Sequence, residues 1–114
     1  IAGDDCLCKV ARLLEGAASR PRDFVARYGG EEFVLVLPET DLEAARTVAE
    51  RCRQVIEDAR LPHADSAVAP IVTVSMGVGA LVPTDAGTLP DFVNSVDRAL
   101  YRAKRAGRNR VEAA

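Results

Sequence analysis

Asp23-Phe24-Val25-Ala26-Arg27-Tyr28-Gly29-Gly30-Glu31-Glu32-Phe33-Val34-Leu35-Val36-Leu37-Pro38 is the stretch that decides how the chain folds. Two runs with strand character, 23–28 and 32–37, flank Gly29-Gly30. The pattern predicts an antiparallel hairpin, because glycine reaches the positive φ angles of a tight turn without a steric penalty. Pro38 has no amide hydrogen for a ladder and ends the second strand.

Toward the N-terminus, Asp4 to about Ala18 reads as a helix with Leu7, Val10, Ala11 and Leu14 on one face and Asp4 as its N-cap. Ser19 to Arg22, with Pro21, is a turn. On the other side, Thr40-Asp41-Leu42-Glu43 is a capping-box pattern. It opens a helix running to about Arg60, with Leu42, Ala45, Ala49, Cys52 and Ile56 facing inward. A loop over 61–70 leads to a long strand, Ile71 to Val82, and a second loop covers 83–87. Thr88 is placed to cap a last helix with Pro90 and Asp91 in its first turn. The apolar face of that helix is Leu89, Phe92, Val93, Val96, Ala99, Leu100 and Ala103, and Gly107 ends it in a left-handed conformation. Arg110-Val111 adds a short edge strand.

The order is α-β-β-α-β-α with a final β. It predicts an α+β fold of the split βαβ, ferredoxin-like type, a sheet with helices packed against it. Such a unit normally opens on a strand, whereas this chain opens on a helix. The expectation is one domain, 1–114, without its N-terminal strand.

Composition agrees with a single packed domain. The 114 residues are 48% hydrophobic and 28% charged, and with aromatics at 4% the core must be aliphatic. A formal charge of -2 argues against bulk attraction to nucleic acid or to an anionic membrane. No apolar run is long enough to span a bilayer, and the opening residues lack the basic and apolar regions of a signal peptide. Cys6, Cys8 and Cys52 are an odd set that suggests no disulfide framework, and with the lone His63 they make a poor metal set. They read as buried or half-buried thiols in a reducing cytoplasm.

Three clusters could carry chemistry. Glu31 and Glu32 follow the two glycines, which let a ligand approach the backbone closely, and adjacent carboxylates hold hard cations that in turn hold phosphates. Taken alone the pair is a weak signal, because solvated acidic turns are common in hairpins. Lys104, Arg105 and Arg108 close the last helix, where cations either complement the helix dipole or bind phosphate. Arg20 and Asp23 flank the proline turn as a surface ion pair or as a ligand grip. Glu50, Arg51, Arg53, Glu57 and Asp58 read as a solvated helix face.

Arg27-Tyr28-Gly29-Gly30-Glu31-Glu32-Phe33 resembles the signature turn of the GGDEF family, the diguanylate cyclases, in the variant with Glu at the third position. Asp97-Arg98-Ala99-Leu100-Tyr101-Arg102-Ala103-Lys104-Arg105-Ala106-Gly107-Arg108-Asn109 is similar to the family's C-terminal helix, and Val72-Thr73-Val74-Ser75-Met76-Gly77-Val78 to the strand before it. Gly3-Asp4 resembles the end of its Gly-His-x-x-Gly-Asp segment. The resemblance implies a fold like the palm of nucleotide cyclases and polymerases. It implies condensation of two GTP molecules into cyclic di-GMP with release of pyrophosphate, with Mg2+ or Mn2+ as cofactor.

On the same resemblance, Glu31 and Glu32 are the catalytic and metal-binding residues, and Glu31 is the candidate base for the 3′-hydroxyl. Gly29 and Gly30 pass close to the nucleotide, Asp4 contacts guanine, and Lys104 and Arg108 contact the triphosphate. Arg20-Pro21-Arg22-Asp23 matches the Arg-x-x-Asp inhibitory site for the product, and Arg51 falls where some members place a second product-contacting arginine.

A homodimer is implied, because each GTP must attack the other. An upstream sensor domain, a cytoplasmic location with or without a membrane tether on the parent, and no nucleic-acid partner are further expectations. The family's first strand carries a metal-binding aspartate, so this chain alone is expected to be a poor cyclase. The alternatives are a non-catalytic module that binds cyclic di-GMP or GTP for regulation, and a GTP-binding domain serving a neighbouring phosphodiesterase.

Overall fold

The computed structural model of the chain describes residues 4–18, 20–29, 32–62, 71–82 and 89–114. Gly30, Glu31, His63 and the expected cap at Thr88 lie outside the described residues, as do most of the two long loops and the side chain of Asp4. The elements run α1 (Asp4–Ala17), β1 (Phe24–Gly29), β2 (Glu32–Val36), α2 (Leu42–Ala59), β3 (Met76–Val78), α3 (Leu89–Arg105) and β4 (Val111–Ala113). The fold is α+β, as the order of helical and strand patterns predicts.

The core forms where α1 and α2 pack on each other. Val10, Leu14 and Ala17 of α1 meet Cys52 and Ile56 of α2, with Val72 from the segment before β3. Val25, Phe33 and Leu35 of the hairpin cover this cluster from one side. Ile56 and Cys52 are wholly buried, so the expected inner face of α2 holds. Burial pushes the Cys52 thiol up. Cys6 is half-buried, but Cys8 is exposed, because α1 turns that residue away from α2.

The hairpin has the expected arms. β1 and β2 pair antiparallel from Phe24↔Val36 to Gly29↔Glu32, with a register shift between Arg27 and Gly29. β3 and β4 pair parallel, Met76↔Val111 to Val78↔Ala113. A parallel pair needs a crossover, and α3 supplies it, packing on both strands.

Three expectations change. The strand expected over Ile71–Val82 has ladder pairing only at Met76–Val78. A strand is limited by its partner, and β4 offers three residues. Residues 72–75 run in without a ladder: Val72 donates its amide to Leu61 at 2.8 Å, and Pro62 bridges Ile71. The cap of α2 is Asp41, not Thr40: the Asp41 carboxylate accepts from the Ala44 amide at 2.9 Å. The Thr40 hydroxyl is committed to the Pro38 carbonyl at 3.0 Å and to Arg20. On α3, Leu89 and Val93 are exposed, and only Ala99 and Ala103 are fully buried. Small residues dominate that seam because helix and strand backbones approach closely at Gly77.

The end of α3 follows the expected left-handed stop. Gly107 has φ 125, and the Arg108 amide reaches back to the Ala103 carbonyl at 2.9 Å, the long bond of a Schellman motif. Arg108 (φ 63) and Asn109 (φ 46) then continue in the left-handed region.

Candidate functional site

At the hairpin, Gly29 ends β1 and Glu32 opens β2 directly opposite. The register shift between Arg27 and Gly29 interrupts the regular ladder near its tip. Strand alternation sends Phe33 toward the core and leaves Glu32 exposed. Beside it, Leu7, Cys8, Ala11 and Glu15 of α1 face Val25 and Phe33 across a shallow groove of about 140 Å³. The exposed Glu32 carboxylate is an oxygen donor of the kind Mg2+ takes. Among the described residues no group of three or more His, Cys, Asp or Glu is gathered as a metal cage.

The cations at the end of α3 separate into two kinds. Arg102 donates to the Ala113 carbonyl at 2.7 Å. Arg105 lies over the Tyr101 ring at 5.7 Å and donates to its hydroxyl. Arg110 donates to the Arg108 carbonyl at 3.2 Å. Lys104 and Arg108 are exposed and make no side-chain hydrogen bond or ion pair among the described residues. A dipole-capping role accounts for the whole cluster alike; it does not account for this division of labour.

Arg20 and Asp23 do come together. The Arg20 guanidinium grips Asp23 through Nε at 3.0 Å and Nη2 at 2.8 Å, and Nη2 also donates to the Pro38 carbonyl at 3.1 Å and to Thr40 Oγ1. The bonds from Arg20 hold the Asp23 carboxyl below the usual carboxylate range. This is more than a loose surface pair: the Asp23 side chain is 2% exposed while Arg20 is 50% exposed. Both line a polar hollow of about 310 Å³ with Glu15, Ala18, Phe24 and Val25. Arg51 does not join them. Its Nη1 donates to the Ala17 carbonyl at the end of α1, at 3.0 Å.

One cluster was not visible in the sequence. Arg53, read there as part of a solvated face, is only 14% exposed. It donates to Glu50 at 3.0 Å, to Glu57 at 3.2 Å and to Asn109 Oδ1 at 3.0 Å. Asn109 returns a bond from Nδ2 to Glu57 at 2.7 Å. The i, i+3 and i, i+4 spacing of Glu50, Arg53 and Glu57 was legible, but the partner lies 56 residues from Arg53.

The profile described as "Diguanylate cyclase, GGDEF domain" matches residues 1–110. The chain belongs to the GGDEF family. The domain is 43% identical over 117 residues to the diguanylate cyclase DgcP of Pseudomonas aeruginosa, covering 100% of this chain and 16% of that protein. It is 44% identical over 112 residues to the diguanylate cyclase DgcM of Escherichia coli, covering 98% of this chain and 25% of that protein. The chain thus spans a quarter or less of these two relatives. Among solved structures, the active GGEEF domain of a Vibrio cholerae diguanylate cyclase superposes with a TM-score of 0.77 at 36% identity, over 96% of this chain and 67% of that one. DgcB of Caulobacter crescentus, solved with c-di-GMP, gives 0.78 at 30% identity, over 96% of this chain and 57% of that one. Those likenesses bear out the palm-like fold read from the sequence. Among the described residues of this GGDEF domain, no helix is long and apolar enough to cross a membrane.

Proposed function

We propose that this GGDEF domain is the catalytic part of a diguanylate cyclase that joins two GTP molecules into cyclic di-GMP and two pyrophosphates, with feedback by the product. The observation that carries the reading is the pair of uncommitted cations. Arg102, Arg105 and Arg110 are satisfied internally, whereas Lys104 and Arg108 are exposed and, among the described residues, make no side-chain hydrogen bond or ion pair. They are the same two that the family resemblance assigns to the triphosphate. Related proteins of this family are named diguanylate cyclases, which supports the same reading.

In the proposed mechanism, Glu31 and Glu32 would hold Mg2+ or Mn2+ by carboxylate oxygens. The metal, when bound, supplies charge stabilisation for the phosphate oxygens. Glu31 takes the proton of the attacking 3′-hydroxyl. Lys104 and Arg108 hold the triphosphate through charge-assisted hydrogen bonds and stabilise the charge that gathers on the leaving pyrophosphate. Asp4 reads guanine, and Gly29 and Gly30 let the nucleotide approach the backbone. Two such domains face each other, each presenting its hydroxyl to the other's α-phosphate, which converts a collision into a positioned reaction. The product binds back at Arg20 and Asp23. Arg stacks on guanine or pairs with phosphate, and Asp accepts from the guanine edge.

Calorimetry on the full-length protein separates catalytic domain from sensor module. Lys104→Ala is expected to weaken binding of GTP by about ten- to a hundredfold and leave cyclic di-GMP binding intact, one charge-assisted contact being worth roughly 1.5–3 kcal/mol. Arg20→Ala is expected to abolish cyclic di-GMP binding and spare GTP. Binding of cyclic di-GMP without any binding of GTP would assign the domain to the non-catalytic alternative.

A further inference from the structure

We infer that Asn109 is a positioning residue, clamped by Glu57 and Arg53 of α2, whose task is to aim Arg108 at the nucleotide phosphates; this rests on the phosphate-binding reading of Arg108 given above.

Gly107, Arg108 and Asn109 hold φ values of 125, 63 and 46 in succession. Glycine adopts such angles freely and asparagine tolerates them, but arginine is poorly suited. Residues persist in this region only where their surroundings over-determine them. Here the surroundings are on both sides of Arg108. Before it, the Schellman bond ties its own amide to Ala103. After it, Asn109 is fixed through three of its polar groups. Nδ2 donates to Glu57 at 2.7 Å, Oδ1 accepts from Arg53 at 3.0 Å, and the backbone amide donates to Ser75 Oγ at 3.2 Å.

The clamp is itself braced. Arg53 is also held by Glu50 and Glu57, so its guanidinium has little freedom of its own. No comparable brace exists on Arg108, whose side chain is exposed and unbonded among the described residues. The direction in which it leaves the chain is set by the backbone turn, and Asn109 is the residue that ties that turn to α2. A bare helix end would let a flexible arginine sweep a wide arc. The left-handed turn, pinned to α2 through Asn109, fixes the Cα–Cβ direction of Arg108 before any ligand arrives, and such preorganisation raises affinity.

The test uses the full-length protein and an uncleavable probe, GTP with a methylene group bridging the α- and β-phosphorus atoms. Asn109→Gly keeps the left-handed backbone accessible and removes the amide clamp. It is expected to raise the Kd of the probe about tenfold, and Glu57→Ala, which frees Asn109 from the other side, is expected to do the same. In an Arg108→Ala background the Asn109→Gly effect is expected to vanish, because the clamp acts only through Arg108. A folded Asn109→Gly or Glu57→Ala protein that binds the probe as tightly as wild type would overturn the inference. So would additivity of the Asn109 and Arg108 effects, which would make the clamp merely structural. A wild-type protein that binds no probe would overturn the phosphate reading first and this inference with it.

Discussion

Gly77→Ala is expected to cost about 3 kcal/mol of stability, at the upper end of overpacking effects, and to lower the Tm by roughly 10–15 °C. A methyl group built at Gly77 would overlap the Val96 carbonyl oxygen and come within 2.6 Å of the Leu100 amide nitrogen. Both are helix backbone, so no rotamer change relieves the clash. The only remedy is to push α3 away from β3, and α3 is the crossover that joins β3 to β4 and carries Lys104 at its end. The loss should therefore extend to GTP binding. Gly16 is the internal control. A methyl group there meets nothing within 4 Å, and Gly16→Ala in α1 is expected to raise stability by about 0.5 kcal/mol. Thermal unfolding of the two variants checks the pair; a Gly77→Ala protein that melts with wild type would show that α3 does not lie this close to β3.

Glu31→Gln is expected to lower cyclic di-GMP formation by about 10²-fold or more. The substitution keeps the size of the side chain and removes its charge and its basicity. It takes from the turn both a candidate metal-binding oxygen pair and the candidate acceptor of the hydroxyl proton. Thermal stability is expected to move by less than about 0.5 kcal/mol, the exchange being nearly isosteric. Cyclic di-GMP binding at Arg20 should also persist, because that site lies on the order of 20 Å along the strand from the turn. Initial rates and product binding measured on one preparation distinguish a lost site from a lost fold. Normal turnover by Glu31→Gln would remove Glu31 from the mechanism.

The hairpin, the helices and the α+β class were legible because each rests on local chemistry: Gly29-Gly30 between two strand-like runs, period-3.6 faces on α1 and α2, and Gly107 at a helix end. Three of the misreadings turn on a competing interaction that is distant in sequence. Thr40 has the right spacing for a cap, but Arg20 and Pro38 claim its hydroxyl and leave the task to Asp41. Ile71–Val82 has the composition of a strand, yet ladder length depends on β4, whose start is delayed by the left-handed turn at 107–109. Arg53 looked solvated because nothing near it in the chain announces Asn109.

At the candidate site, the motif residues could be named from the sequence. What it could not supply was which cations are already spent. Arg105 and Lys104 are neighbours of similar charge, and only the Tyr101 ring and hydroxyl beside Arg105 distinguish them. Likewise Arg20-Pro21-Arg22-Asp23 could be an idle ion pair until the carboxylate of Asp23 is found covered and the guanidinium half-open to a polar hollow.

The central claim is tested most directly by following GTP with the purified full-length protein in the presence of Mg2+, over a range of protein concentrations. The account expects cyclic di-GMP and pyrophosphate in a ratio of one to two, with specific activity rising as the protein is concentrated and the two domains pair. Folded protein that binds GTP yet releases no pyrophosphate at any concentration would contradict it.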